Sequence, residues 1–319
     1  MKVVVTGGAG FIGSHIVDAY VERGWSVTVL DDLSTGDRSN VNPKARFVQG
    51  DVLDGEVLAD AIREGVDVVN HHAAQMDVRR SVADPAFDAE VNVVGTLRLM
   101  ERARACDVRS VIFASSGGAA YGEPVFVPQT EEHSFAPMSP YGAAKLSVEY
   151  YLGFYRQVYG MRTVALRYGN VYGPRQRKDG EAGVVAIFGG KLLAGEPATI
   201  NGTGEQTRDY VFVQDVVRAN MAVSDSGLSG AFNVGTGVET SVVGLFEGIC
   251  EALASLGPSA LGPRLSVEEL LAMKSHGPAK AGEQMRSVLD GSKLRHAAGL
   301  QEPVSLGEGL RKTMEWIAR

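Results

Sequence analysis

Lys2-Val3-Val4-Val5-Thr6-Gly7-Gly8-Ala9-Gly10-Phe11-Ile12-Gly13-Ser14-His15 opens the chain. Its first half is a short apolar run of β-branched residues that breaks into glycines. From Phe11 onward the apolar residues Ile12, Ile16, Val17, Tyr20 and Val21 recur at helical spacing. The stretch therefore predicts a buried strand, a tight glycine turn and a helix. Such a turn aims free backbone N–H groups and the positive end of a helix at one point, which suits a pyrophosphate. In the G-x-x-G-x-x-G spacing, Gly7 permits the turn, Gly10 lets backbone approach phosphate and Gly13 lets helix and strand pack closely. An ordinary strand–helix turn with spare glycines would read the same way, so the surrounding chain has to decide.

A second strand, Ser26 to Leu30, ends in Asp31-Asp32. A carboxylate at that strand end, about twenty residues beyond the glycines, suits the hydroxyls of an adenosine ribose and repels a 2′-phosphate. No arginine follows at once, so the expected cofactor is NAD rather than NADP. Asp-Asp-Leu-Ser-Thr-Gly is also good turn chemistry, and the two roles are compatible.

The chain has 319 residues, 45% hydrophobic and 22% charged, which is enough for one large domain or two smaller ones. A net charge of −7 and a pI near 5.5 argue against a general binder of nucleic acid or membrane surface. No apolar run reaches transmembrane length. Cys106 and Cys250 stand isolated in helical patterns, as expected of reduced, packed thiols. No signal peptide is read at the N-terminus, which is itself a core strand, and a cytoplasmic location is expected. The six histidines lack metal-site spacing, and no metal is expected.

The next segments keep a strand–helix rhythm. Arg46 to Gln49 is a short strand, followed by Asp51 and Val52, which could flank an adenine; Asp51 could equally cap a helix over Gly55 to Glu64. The strand Val66 to His71 runs into His72-Ala73-Ala74-Gln75, whose small residues leave room for a ligand. A helix is expected from Pro85 through Met100, with Asn92 as a polar residue in an apolar stretch that needs a partner. Val111 to Ser116 is a central strand whose terminal hydroxyls, Ser115 and Ser116, stand where open parallel sheets bind ligands. Glu123 to Pro140 is a long proline-rich loop of the kind that shapes a site.

Ser139-Pro140 then starts a helix, with Ser139 as cap and Pro140 in its first turn. Tyr141 and Lys145, at i and i+4, share one face of it. An ammonium beside a phenol favours the phenolate, so Tyr141 is a candidate general base. After the strand Thr163 to Tyr168 the regular rhythm stops. The remainder mixes short strands, helices and a Gly257–Pro263 loop. The expected architecture is α/β: a Rossmann-type doubly wound parallel sheet over 1–169, receiving also 208–238, with a smaller α+β substrate domain over 170–319.

Together, Thr6–Gly13, Asp31, the serines after the fifth strand and Tyr141-x-x-x-Lys145 resemble the extended short-chain dehydrogenase/reductase family. Ser-Ser-Gly-Gly-Ala-Ala-Tyr-Gly at 115–122, Arg-Tyr-Gly-Asn-Val-Tyr-Gly-Pro-Arg at 167–175 and Arg-Asp-Tyr-Val-Phe-Val-Gln-Asp at 208–215 are most similar to its UDP-glucose 4-epimerases. The resemblance covers essentially the whole chain. It implies that Gly7, Gly10, Phe11, Ile12 and Gly13 line the NAD pyrophosphate, that Asp31 and Asp32 hold the ribose, and that Asp51 and Val52 hold adenine. Ala73, Ala74, Gln75, Asn92 and Ser115 would border the cofactor. Tyr141 would be the base, Lys145 would bond the nicotinamide ribose, and Tyr168 would lie near the nicotinamide. Ser116 would position the sugar, with Ser115 beside it; one residue more than the commoner pattern precedes Tyr121 and leaves the choice of serine open. Asn170, Arg208 and Lys280 would meet the substrate diphosphate. Lys280 stands where the family usually carries arginine, keeping the charge and losing the fork. Ser287, in place of a bulky tyrosine, would widen the pocket toward N-acetylhexosamines.

The implied reaction is NAD-dependent epimerisation at C4 of a UDP-hexose through a 4-keto intermediate, in a homodimer formed through a four-helix bundle. Gly117-Gly118 stand where 4,6-dehydratases carry an acid–base pair, which disfavours dehydration. A UDP-glucuronate 4-epimerase or decarboxylase shares the other features. A non-catalytic NAD-binding sensor would not need Tyr141, Lys145 and both serines.

Overall fold

The computed structural model describes residues 1–177, 183–256, 265–279 and 284–319. The Gly257–Pro263 loop and Lys280 lie outside them. In chain order the first half runs β1 Lys2–Thr6, α1 Phe11–Glu22, β2 Ser26–Asp31, β3 Arg46–Gln49, α2 Gly55–Ala61, β4 Val68–His71, α3 Val78–Ala83, α4 Pro85–Ala89, α5 Gly95–Ala105, β5 Ser110–Ser116, α6 Gly117–Tyr121, α7 Pro140–Tyr159 and β6 Arg162–Tyr168. The second half runs β7 Asn170–Tyr172, α8 Val184–Leu193, β8 Ala198–Asn201, β9 Thr207–Arg208, β10 Tyr210–Phe212, α9 Val213–Asp225, β11 Gly230–Val234, β12 Thr240–Ser241 and α10 Val242–Ser255. It closes with α11 Val267–Ala272, β13 Lys274–Gly277, β14 Arg286–Ser287, α12 Ser292–Ala298 and α13 Leu306–Ile317.

Seven strands form one parallel sheet in the order β11-β6-β5-β4-β1-β2-β3. Because all run the same way, their C-terminal ends share one edge. The order reverses between β1 and β4, and in open α/β sheets the crevice at such a reversal takes the ligand. Side chains of β1 alternate between faces, as a period of two requires. Val3 and Val5 join the apolar layer under α1 and α9, and Val4 joins the layer under α5 and α7. A third apolar cluster, built from β7, β10, α8, α10 and α13, is the core of the C-terminal half.

The strand–helix alternation follows the sequence pattern, with three local differences. The expected helix after Pro85 is α4 and α5 joined by a π-helical turn, Glu90–Val94, and a further short helix, α3, precedes it. One extra residue per turn leaves no mark on apolar spacing over so short a run. The helix expected to reach Glu64 stops at Ala61, and its cap is Asp54, which accepts from Glu56 N at 2.8 Å; Asp51 instead accepts from Leu53 N at 2.9 Å. Gly117-Gly118, which follow the fifth strand, begin a short helix, α6, that the sequence pattern does not announce.

The helix carrying Tyr141 starts and stops as its sequence dictates. Ser139 accepts from Gly142 N at 3.1 Å, Pro140 occupies the first turn, and Gly160 ends the helix at φ +67°. The long loop before it is pinned to the C-terminal half through Gln129, whose N–H donates to Val288 O at 2.7 Å and whose carbonyl accepts from Asp290 N at 2.8 Å. Among the described residues no helix is long and apolar enough to cross a membrane. Cys106 and Cys250 are buried and free.

Candidate active site

The glycine turn is a cradle in which side chains do not fit. Gly7 has φ +66°, and a Cβ there would stand 2.7 Å from Ala73 N. A Cβ on Gly13 would stand 2.2 Å from Gly7 O. Helix α1 has no side-chain cap and no acidic residue in its first turn, so its positive end stays uncompensated by the chain itself. The adjoining strand ends are stitched together by Thr6. Its Oγ1 accepts from Ala73 N at 3.1 Å and lies 2.6 Å from His71 Nδ1. Thr96 Oγ1 donates to Asn92 O, so it accepts from His71 Nε2 at 2.9 Å, which puts the imidazole proton on Nε2. Burial first, then the nearby Lys145 charge, pushes His71 down to about 3.

The two aspartates after β2 differ. Asp31 is buried at 6% exposure, and its two oxygens accept from Ala9 N and Leu33 N, both at 2.9 Å. It thereby fixes the glycine turn from below, and burial raises its pKa despite those bonds. Asp32 is exposed and orders Ser34, accepting from its N and Oγ. Val52 is buried against Gly95. Asn92, turned inward by the π-helical turn, clamps the segment after β4. Its Oδ1 accepts from Gln75 N at 3.0 Å, and its Nδ2 donates to Gln75 O at 2.9 Å and Asp88 Oδ1 at 3.0 Å. Asp88, which the sequence reading passed over, is 1% exposed and also accepts from Gln75 Nε2 at 2.9 Å.

At the end of β5 the two serines part. Ser115 Oγ donates to Glu149 Oε1 at 2.6 Å and is committed to that carboxylate. Ser116, on the opposite face by strand alternation, caps α6, its Oγ accepting from Ala119 N at 3.4 Å. Lys145 is buried and donates to Ala114 O at 2.9 Å, 5.6 Å from the centre of the Tyr141 ring. Gly142, beside Tyr141, lets α7 close on α6, since a Cβ there would stand 2.3 Å from Ala119 O. The phenol does not titrate as expected from its spacing. Burial, with the Asp88 carboxylate next, raises the Tyr141 pKa. Burial lowers Lys145 itself to about 8, against Asp88 and Glu149.

The remaining residues fall into two groups. Tyr168 turns its side chain into the core, where its hydroxyl accepts from Asn220 Nδ2 at 2.8 Å and its ring stacks on His72; only its backbone lies beside Ser116, its partner in register. Arg208 and Ser287 are paired across β9 and β14, and Asn170 leads β7 alongside β10. Asp209, fully buried, binds the second group together by accepting from Thr236 N and Oγ1, Gly237 N and Leu289 N. Ser287 is 2% exposed and meets the Ser116 turn at Gly118, where a Cβ would be 3.1 Å from Ser287 Oγ. Asp209 falls inside the quoted 208–215 motif without a role of its own, and Asn220 carries no sequence signal; the partners of both are distant in the chain.

A cradle that excludes side chains, an uncapped helix end and a carboxylate at the end of β2 fit a dinucleotide. A profile of the NAD dependent epimerase/dehydratase family matches residues 3–235. The chain belongs to that family. Within the NAD dependent epimerase/dehydratase family it is 44% identical to the UDP-glucose 4-epimerase of Mycolicibacterium smegmatis over 324 residues, covering 99% of this chain and 98% of that one. It is similar in structure to the Thermotoga maritima UDP-glucose 4-epimerase solved with UDP-glucose, at 42% identity and a TM-score of 0.90, over 99% of this chain and 98% of that chain. The Thermus thermophilus UDP-glucose 4-epimerase in complex with NAD gives 41% identity and a TM-score of 0.88, over 99% of each chain.

Proposed function

We propose that the chain interconverts the C4 epimers of the hexose in a UDP-sugar, UDP-glucose and UDP-galactose first among them, as an NAD-dependent isomerase. The observation that carries this reading is the bond from Lys145 to Ala114 O. It seats the Tyr141 helix at the end of the strand that presents Ser116, on the sheet edge where the glycine cradle opens.

In this reading Gly7, Gly10, Phe11, Ile12 and Gly13 hold the pyrophosphate of NAD, Asp31 and Asp32 its ribose, and Asp51 and Val52 its adenine. Ala73, Ala74 and Gln75, clamped by Asn92, border the nicotinamide end. The chemistry NAD supplies when bound is reversible hydride exchange with a sugar carbon. Ser116 orients the sugar 4-hydroxyl, and Tyr141 takes its proton and returns it. The Lys145 charge stabilises the proton-free tyrosine. Asn170 and Arg208 hold the diphosphate, a guanidinium being suited to it, so that the sugar end can turn while its handle stays fixed. Asp209 keeps Arg208 and Ser287 in one place, and the small Ser287 extends the range toward N-acetylhexosamines.

A homodimer is part of the proposal. Tyr150, Tyr151, Phe154, Val158 and Tyr159 leave an exposed apolar face on α7, beside Val82 and Val94. Light scattering during gel filtration reads this directly.

The functional test is incubation with UDP-glucose and no added NAD, assayed for UDP-galactose. Turnover is expected in the wild type. Tyr141→Phe is expected to abolish it and to leave UDP binding intact. Wild-type protein without turnover, or an active Tyr141→Phe, would overturn the assignment.

A further inference from the structure

A buried polar cluster lies outside the residues assigned above, directly behind them. Glu149 and Arg167 form an ion pair with side chains only 8% and 6% exposed. The pair is fully engaged. Glu149 Oε1 accepts from Ser115 Oγ at 2.6 Å and Arg167 Nε at 3.0 Å, and Oε2 accepts from Arg167 Nη2 at 2.6 Å. Arg167 Nη1 donates to the Tyr121 hydroxyl at 2.7 Å, which donates to Asn233 Oδ1 at 2.9 Å. The guanidinium also lies against the stacked pair of Tyr121 and Phe135, 5.3 and 4.7 Å from their ring centres. Five elements meet here: α7, β5, β6, α6 and β11.

The placement has a regularity. Tyr141, Lys145 and Glu149 are four residues apart and form one stripe on α7. Ala114, Ser115 and Ser116 are consecutive on β5. Lys145 bonds the carbonyl of Ala114, and Glu149, one turn further, bonds the hydroxyl of Ser115. A helix held to a strand at one turn can still slide or rotate. Held at two successive turns, it has one height and one rotation. Tyr121, at the far end of the short helix that Ser116 caps, is fixed by the same guanidinium. Replacing a buried ion pair by apolar residues of similar size often leaves a fold as stable as before, so holding the sheet together does not by itself call for charges here.

We propose that Glu149 and Arg167 are positioning residues: with the Lys145 bond, their clasp on Ser115 and Tyr121 sets the separation of the Tyr141 and Ser116 hydroxyls. The inference rests on the reading that these two hydroxyls act on one sugar. Misplacement of reacting groups by about 1 Å can cost on the order of 100-fold in rate.

The test uses the full chain with its NAD. The double variant Glu149→Leu with Arg167→Met removes both charges and leaves neither unpaired; Ser115→Ala removes only the strand anchor. Competent sites are counted by UDP titration, so loss of folded protein does not register as loss of rate. Turnover per UDP-binding site is expected to fall roughly 10- to 100-fold in the double variant, by the same positioning argument, and in the same direction but less in Ser115→Ala. KM for UDP-glucose and the UDP affinity should stay near wild type, and amide hydrogen exchange over residues 141–149 should quicken. Unchanged turnover per site in the double variant, or a loss of UDP affinity matching the loss of turnover, would overturn the inference. If the double variant does not fold, unchanged turnover per site in Ser115→Ala overturns it alone. A wild type that fails to convert UDP-glucose sinks the functional reading, and the inference with it.

Discussion

Lys145 stands 5.6 Å from the centre of the Tyr141 ring and donates a hydrogen bond to the carbonyl of Ala114, 2.9 Å away. The Tyr141 helix is thus tethered by the ammonium whose charge the proposed function calls on. Burial leaves that ammonium titrating near pH 8, with Asp88 and Glu149 holding it up. Turnover is expected to fall as pH rises through about 8, where the charge is lost. Asp88→Asn keeps a side-chain acceptor for Gln75 and Asn92 while removing the carboxylate charge, and should move this alkaline limb to lower pH. A kcat–pH profile that is flat to pH 10, or unmoved by the substitution, would contradict the account.

Gly13→Ala should remove the cofactor site without touching any side-chain contact. The added Cβ would stand 2.2 Å from the Gly7 carbonyl oxygen, so backbone must move. Overpacking of this kind costs about 1–3 kcal/mol. The expected result is a lower melting temperature together with loss of copurifying NAD, read from the absorbance of the acid-released nucleotide.

His71 and His72 predict a stability slope in acid. Burial, with the Lys145 charge behind it, lowers both to about 3 from 6.5. Below about pH 6.5 the unfolded chain takes up protons that the folded chain refuses, so stability falls as pH falls toward 3. Each group contributes about 1.4 kcal/mol per pH unit in that window. The His72 ring stacks on Tyr168, with Asn220 as its neighbouring polar side chain. His72→Phe should therefore keep the stack and flatten the slope by about half, measured from urea midpoints between pH 7 and pH 5.

Asp209→Ala should loosen the C-terminal half. It strands the N–H groups of Thr236, Gly237 and Leu289, all now bonded to one buried carboxylate. Unsatisfied buried donors cost about 1–3 kcal/mol each before relaxation. A loss of about 3 kcal/mol or more in urea unfolding is expected, with Asp209→Asn intermediate because it retains one acceptor oxygen.

The first half of the chain was legible because its signals are local. Val3–Val5 are an unbroken β-branched run, the glycines crowd one turn, and Ser139-Pro140 starts a helix that Gly160 stops. The site was legible where spacing alone creates it, as for Tyr141 and Lys145 on one face. What escaped reading depends on partners brought from afar. Glu149 finds Arg167 across a helix–strand junction, Asn220 finds Tyr168, and Asp209 gathers donors from residues 236, 237 and 289. Tyr141 is a similar case: spacing puts it beside the ammonium but does not show the burial and the Asp88 carboxylate that raise its pKa.

Strand β11 is the last to join the seven-stranded sheet, and the chain reaches it only after leaving β6 and building much of the second lobe. On a ribosome, β6 must emerge with a bare edge and wait for residues 230–234. Unpaired edges are where growing chains stick to one another. A nascent chain stalled near residue 200 should therefore be aggregation-prone and a ready client for a chaperone, and release from that state should coincide with emergence of Val234.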